Sequence, residues 1–286
     1  MLGITTGISL LAPPPGPRPE TAPAACRPST DTGRRAHARS THGDEHHPPV
    51  TDLTKTRSAA DITVPVRFHV LASGRTGLLS VAEVNRQIAI LNVAYSGGAG
   101  GADTGVRFAL QSVDRTDRPE WFQAPHTHES TIKRLLHRGG AQTLNLYTAS
   151  VGDEILGFST FPQWVGKSQI LDGVVVDYRS LPGGAYQHFN LGYTAVHETG
   201  HWLGLFHTFE NGCNHPGDGV ADTPDEGYPT DGCPRVKNTC TSTGDDPLHN
   251  FMDYAWDDCM REFTPGQAAR IHQSWAAYRG NAESSA

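Results

Sequence analysis

The chain has 286 residues, 37% of them apolar and 19% charged, with a formal net charge of −7. That length holds one large domain or two small ones, and the apolar share can build a core, which excludes disorder throughout. Glycine and proline follow no triplet period, which excludes collagen; the acidic balance argues against a general electrostatic nucleic-acid binder; and no run of apolar residues is long enough for a membrane span.

Residues 12–49 are dense in Pro, Ala, Thr, Arg and His and lack apolar periodicity, so they read as unpacked chain. Residues 1–12 are weakly apolar through Ile4, Ile8, Leu10 and Leu11 and read as a clipped or atypical signal peptide, without a basic start and with a short apolar core. Residues 1–57 are therefore taken as a leader, 58–280 as the folded part and 281–286 as a tail. Val64, Val66, Phe68 and Val70 alternate with other residues and predict a strand, with Pro65 pointing to a sheet edge or the strand's first turn. Ser80 to Glu83 forms a capping box, and Val84, Ile88, Leu91 and Tyr95 at helical spacing predict a helix behind it. Val106, Phe108 and Leu110 predict a second strand, Ile132, Leu135 and Leu136 a short helix, and Leu144, Leu146 and Tyr147 a third strand. Val174-Val175-Val176 reads as a strand buried on both faces. Further helices are predicted from near Thr194 and after Thr264-Pro265, where proline suits the first helical position. Strands and helices thus interleave in one α/β or α+β domain.

The strongest pattern runs from His197 to His207 and reads H-E-x-x-H-x-x-G-x-x-H. On a helix His197 and His201 lie one turn apart, project from one face and can hold one Zn2+. Glu198 sits beside the first of them, within reach of a water at the metal. Gly204 falls where the chain must leave the helix, and glycine tolerates the positive φ of such a turn. The turn returns His207 as a third nitrogen donor. Three protein ligands mark a catalytic zinc site, whereas a structural one is closed by four. The plainer reading is a helix with surface histidines. Asn250-Phe251-Met252-Asp253-Tyr254 follows, and Met252 there reads either as an apolar floor beneath the imidazoles or as an ordinary core residue.

Residues 192–270 resemble the pappalysin group of metzincin zinc metalloproteases (peptidase family M43). The likeness rests on the zinc motif with Trp202 inside it, on Asp218-Gly219-Val220-Ala221-Asp222-Thr223-Pro224, on the stretch around Met252, and on Phe263-Thr264-Pro265-Gly266-Gln267. The helix at 87–95 and Leu144-Asn145-Leu146-Tyr147 fit as well. The resemblance implies an α+β, metzincin-type zincin catalytic domain: a mixed twisted sheet, an active-site helix and a backing helix. Its N-terminal subdomain is expected at about 58–204, and a loop-rich, disulfide-stapled C-terminal subdomain at about 205–280. It implies a secreted zinc-dependent endopeptidase, with protein or peptide substrates, no nucleic acid and no membrane span; a monomer is assumed. Glu198 is then the general base that takes a proton from the attacking water and delivers it to the leaving amine. Tyr254, with the metal, steadies the oxyanion.

Cys213, Cys233, Cys240 and Cys259 permit three connectivities. The resemblance favours Cys213–Cys240 and Cys233–Cys259, hence an oxidising compartment; the alternative is a second zinc on four thiolates. Cys26, in the leader, reads as a latency switch whose thiolate takes the fourth zinc position, or as an incidental leader cysteine. Asp218, Asp222 and Thr223 concentrate oxygens suited to Ca2+, as the family allows, or else make turn contacts. By resemblance Asp258 lines the pocket for the residue after the scissile bond and prefers Arg or Lys there; otherwise it, or Asp257, is a solvated loop charge. With such a pocket, self-cleavage of the Thr56–Arg57 bond would remove the leader. The competing reading is a catalytically inactive zinc-binding extracellular interaction module, against which the presence of Glu198 argues.

Overall fold

Residues 61–152, 155–166 and 168–280 are described by a computed structural model of the chain. The leader, Cys26, the Thr56–Arg57 bond and the 281–286 tail lie outside the described residues. The elements in chain order are β1 (Ile62–Ala72), α1 (Val81–Tyr95), β2 (Val106–Asp117), α2 (Pro119–Gln123), α3 (Pro125–Leu136), β3 (Leu144–Ala149), β4 (Gly157–Ser159), β5 (Val174–Asp177), α4 (Tyr193–Trp202) and α5 (Pro265–Tyr278).

The strands form one sheet in the order β2-β1-β3-β5-β4. β1, β2, β3 and β5 run parallel, and β4 alone is antiparallel, at the edge. Parallel neighbours need crossover connections; α1 lies in the one from β1 to β2, and α2 and α3 in the one from β2 to β3. Side chains alternate across the sheet. Val64, Val66 and Phe68 join Leu144, Leu146, Val174 and Val176 in a core shared with α1 and α4. Leu71, Tyr147, Phe158 and Val175 face the other way, onto Phe122 of α2 and Ile132 of α3. Both faces are therefore covered, which is why the valine run of β5 has no polar alternation.

α1 begins with the reciprocal Ser80–Glu83 box, and α5 begins with another between Thr264 and Gln267. The sheet-edge reading of Pro65 is corrected: β1 is an interior strand. Pro65 lies one residue before the pairing with β3 starts at Val66–Leu144, so its missing N–H interrupts no bond to β3. Three residues of β4 and five of α2 had no periodic signature to announce them.

After α4 the chain is mostly loop, stapled by Cys213–Cys240 and Cys233–Cys259. α5 backs α4. Its last turn leads to Arg279, whose fully buried guanidinium lies 3.6 Å from the Trp202 ring centre and pairs with both oxygens of Asp172. Trp202 Nε1 donates to the same carboxylate at 3.1 Å. Among the described residues no helix is long and apolar enough to cross a membrane.

Candidate active site

Every residue of α4 from Thr194 to Trp202 is buried, so the helix is held by packing all round rather than by an amphipathic face. Gly192 opens it in the left-handed region. At the other end Leu205 N–H returns to Gly200 O at 2.9 Å, and Gly204 takes a φ of 102° that other residues adopt only under strain. That turn swings His207 back beside His197 and His201.

The three imidazoles are oriented from behind. His197 Nδ1 donates to Phe251 O at 2.7 Å, and His201 Nδ1 donates to Leu205 O at 2.8 Å. A carbonyl can only accept, so both rings carry their proton on Nδ1 and turn the Nε2 lone pair outward. His201 Nε2 lies 3.1 Å from His197 Nε2 and 3.0 Å from His207 Nε2. Donors held tetrahedrally by Zn–N bonds of about 2.0–2.1 Å would stand roughly 3.3 Å apart, so the set fits a zinc ion. Burial pulls His197 down to about 4, which keeps it in the neutral form a metal requires. Among the described residues these three form the one group of three or more His, Cys, Asp or Glu side chains able to close on a metal.

Met252 lies directly under α4. A Cβ at Gly200 would stand 2.4 Å from the Met252 sulfur, so glycine is what allows the turn to come this close. Asn250 fixes the turn by bonding Met252 N–H and exchanging two amide hydrogen bonds with Gln267 of α5. Tyr254 Oη lies 3.1 Å from His207 Nε2, which places the phenol at the edge of the metal position.

Glu198 is 2% exposed, and burial pushes its carboxyl up to about 8; a hydrogen bond from Ser159 on β4 acts the other way. A dication held by the imidazoles would lower it again by Coulomb attraction. Next to it opens a largely apolar pocket, walled by Leu156, Phe189, Tyr193, Ala255 and Met260. Besides Glu198, two carboxyls line it, Asp253 and Asp257; burial raises both, Asp257 to about 7. Asp257 Oδ2 accepts from Leu191 N–H at 2.8 Å, while Oδ1 is buried and unpartnered. Asp258 is placed differently. Its side chain is 66% exposed, stands outside the pocket and comes within 3.9 Å of His188.

The Asp218, Asp222 and Thr223 oxygens do not act as one set. Asp222 accepts from Thr264 Oγ1 at 2.7 Å and Gly266 N–H at 2.8 Å, which commits it to the start of α5. Asp218 accepts from Val220 N–H at 2.9 Å and is pushed up to about 7 by burial. The Thr223 hydroxyl is buried as well and bears on the Asp218 carboxyl, opposing the upward shift. Ser159, Gly200 and Asp257 had not been singled out as site residues from the sequence. The glycine inside the zinc motif was the one signal that could have exposed the close approach of Met252.

Comparison with known proteins places this geometry. Residues 157–276 match the M43 peptidase family model, described as pregnancy-associated plasma protein-A. An extracellular metalloprotease of Podospora anserina is 40% identical over 232 residues, covering 79% of this chain and 77% of the relative. One from Verticillium alfalfae is 44% identical over 229 residues, with 77% and 78% covered. Among solved structures, mature mirolysin of Tannerella forsythia in complex with a cleaved peptide superposes with a TM-score of 0.67. It is 28% identical, over 74% of this chain and 91% of that one.

Proposed function

The chain belongs to the peptidase family of pregnancy-associated plasma protein-A and is a zinc metalloendopeptidase; from that premise we propose that Glu198 is its general base and acid, that Tyr254 steadies the oxyanion, and that it cuts before basic residues. The observation that carries the reading is the convergence of three Nε2 atoms beside a buried carboxyl with one unpartnered oxygen. His197, His201 and His207 would hold the zinc. When bound, the ion supplies Lewis-acid polarisation of the scissile carbonyl and acidifies water.

The chain's own residues do the rest. Among the described residues β4 ends the sheet, so an extended substrate can add to it as a further strand. Glu198 receives a proton from the attacking water and passes it to the leaving amine. Tyr254 O–H donates to the developing oxyanion. The side chain after the scissile bond enters the pocket beside Glu198, where an Arg or Lys meets Asp257 Oδ1; Asp258, at the rim with His188, adds long-range attraction only. The names of the relatives support an extracellular enzyme with peptide substrates. Asp218 and Thr223 are proposed as calcium donors.

Cut sites mapped in a mixed peptide library test the pocket. Arg or Lys should follow the cuts of the wild type and of Asp258→Asn, and Asp257→Asn should lose that preference. Loss in Asp258→Asn alone would restore the role to that residue. Self-processing at Thr56–Arg57 is proposed on the same preference; a mature N-terminus far from Arg57 would discard it.

A further inference from the structure

Residues 181–192 lead into α4 as irregular loop, and Phe189 of that loop stands in the pocket wall. Just before it, His188 takes a φ of 69°; among the described residues only Asn211 shares the left-handed region without being glycine. A side chain there carries a backbone cost that glycine would escape. The imidazole gains a partner in return. It stacks on Trp256, with ring centres 3.7 Å apart and planes 11° from parallel. Its Nδ1 stands 3.9 Å from Asp258 Oδ2, beyond hydrogen-bond reach. The indole is itself seated on the disulfide-stapled loop. Trp256 N–H donates to Gly232 O at 3.0 Å, and a Cβ on Gly232 would stand 3.8 Å from the ring.

This stack closes a clasp around Asp257. Asp257 N–H donates to His188 O at 2.9 Å, and Asp257 Oδ2 accepts from Leu191 N–H at 2.8 Å. Its backbone and its side chain are thus gripped from the two ends of one short stretch, 188–191. The oxygen left over, Oδ1, is the one buried without a partner. Between the two grips Phe189 packs with Leu156 and Tyr186. Asp253, the other acid of the wall, is fixed from elsewhere: its Oδ1 accepts from Thr230 N–H at 2.9 Å and Tyr254 N–H at 2.7 Å. We propose that His188 is a positioning residue for Asp257, and through it a determinant of which side chain follows the scissile bond. The inference rests on the reading of Asp257 as the group that meets an Arg or Lys there. A carboxylate selects a cation only while its oxygen is aimed at the place the cation occupies, and its side chain has two rotatable bonds to lose that aim. With the stack in place the 188–191 stretch is rigid, and both grips on Asp257 keep their direction.

The test uses two peptides that differ only in the residue after the scissile bond, Arg or Met. Full-length wild type, His188→Gly, His188→Phe and Asp257→Asn are compared by kcat and KM on each, with thermal unfolding as the check on folding. His188→Gly removes the ring while suiting the backbone, so it should fold as wild type does. Its ratio of kcat/KM for the Arg peptide over the Met peptide should fall about fivefold, the size of one aromatic stack, with the change in KM rather than kcat. His188→Phe keeps a flat ring on Trp256 and should hold the ratio within about twofold of wild type. Three results would overturn the proposal: a wild-type ratio in His188→Gly, equal losses on both peptides, or His188→Phe as unselective as His188→Gly. Asp257→Asn separates this role from the reading beneath it. If Asp257→Asn loses the Arg preference while His188→Gly keeps it, only the positioning role fails; if Asp257→Asn keeps the preference, the pocket reading fails and the positioning role with it.

Discussion

Replacing Gly200 with alanine sets two magnitudes against each other. In an isolated helix the substitution is favourable by about 1 kcal/mol, because alanine orders at lower entropic cost. Here the added methyl would stand 2.4 Å from the Met252 sulfur. Ordinary contacts lie at about 3.5–4.0 Å, so the sulfur must retreat by more than about 1 Å. Met252 has 0% exposure, and its backbone N–H is tied to Asn250, so there is nowhere cheap for it to go. Overpacking of this kind costs about 1–3 kcal/mol, and an enclosed neighbour argues for the upper end. Net destabilisation is then about 2 kcal/mol, or a melting temperature lower by roughly 4–8 °C at this chain size. Because Phe251 O orients His197, the same displacement should weaken zinc retention against a chelator. Thermal unfolding of the zinc-loaded protein reads the first effect and chelator competition the second. A melting temperature at or above wild type would mean that helix propensity wins and that Met252 is not the close floor described.

Three further outcomes follow from the same packing. Cys213→Ser with Cys240→Ser opens a loop of 27 residues, and the chain-entropy account puts the loss at about 3.5 kcal/mol; a double variant as stable as wild type in denaturant titration would contradict the staple. Arg279→Ala leaves the Asp172 carboxylate buried without its cation, a change that typically costs about 3–5 kcal/mol, and an unshifted unfolding midpoint would dismiss the buried pair as inert. Asp257 is raised to about 7 when folded, so the native state keeps a proton that the unfolded chain has released above about pH 4. Its contribution is therefore full below that pH and lost as pH rises through 7. Asp257→Asn should flatten the fall in melting temperature between about pH 5 and about pH 9, and a variant tracking wild type would refute the assignment.

The zinc motif was legible because its information is local. Two histidines at i and i+4 must share a helix face, and a glycine must sit where the chain turns. The Ser80 and Thr264 boxes were legible for the same reason. What could not be read depended on tertiary placement. β4 has three residues and becomes a strand only because β5 pairs with it, yet it carries Ser159. Asp257 and Asp258 are adjacent acids in the sequence. The chain turns one into the pocket wall, held by Leu191 N–H, and the other into solvent, a distinction no spacing encodes. Asp222 looked like a cation ligand beside Asp218, but α5 arrives from far along the chain and takes its oxygens. Pro65 suggested an edge, although β1 is interior, because the proline falls just outside the β3 pairing.

Glu198 is proposed to move protons at a centre that His197, His201 and His207 build. Peptide cleavage by wild type and Glu198→Gln, each assayed with and without a zinc chelator and each with its zinc content measured, tests it most directly. Cuts are expected from the zinc-loaded wild type alone, with Glu198→Gln inactive while holding one zinc per chain. Near-normal cleavage by Glu198→Gln, or by the chelated wild type, would contradict it.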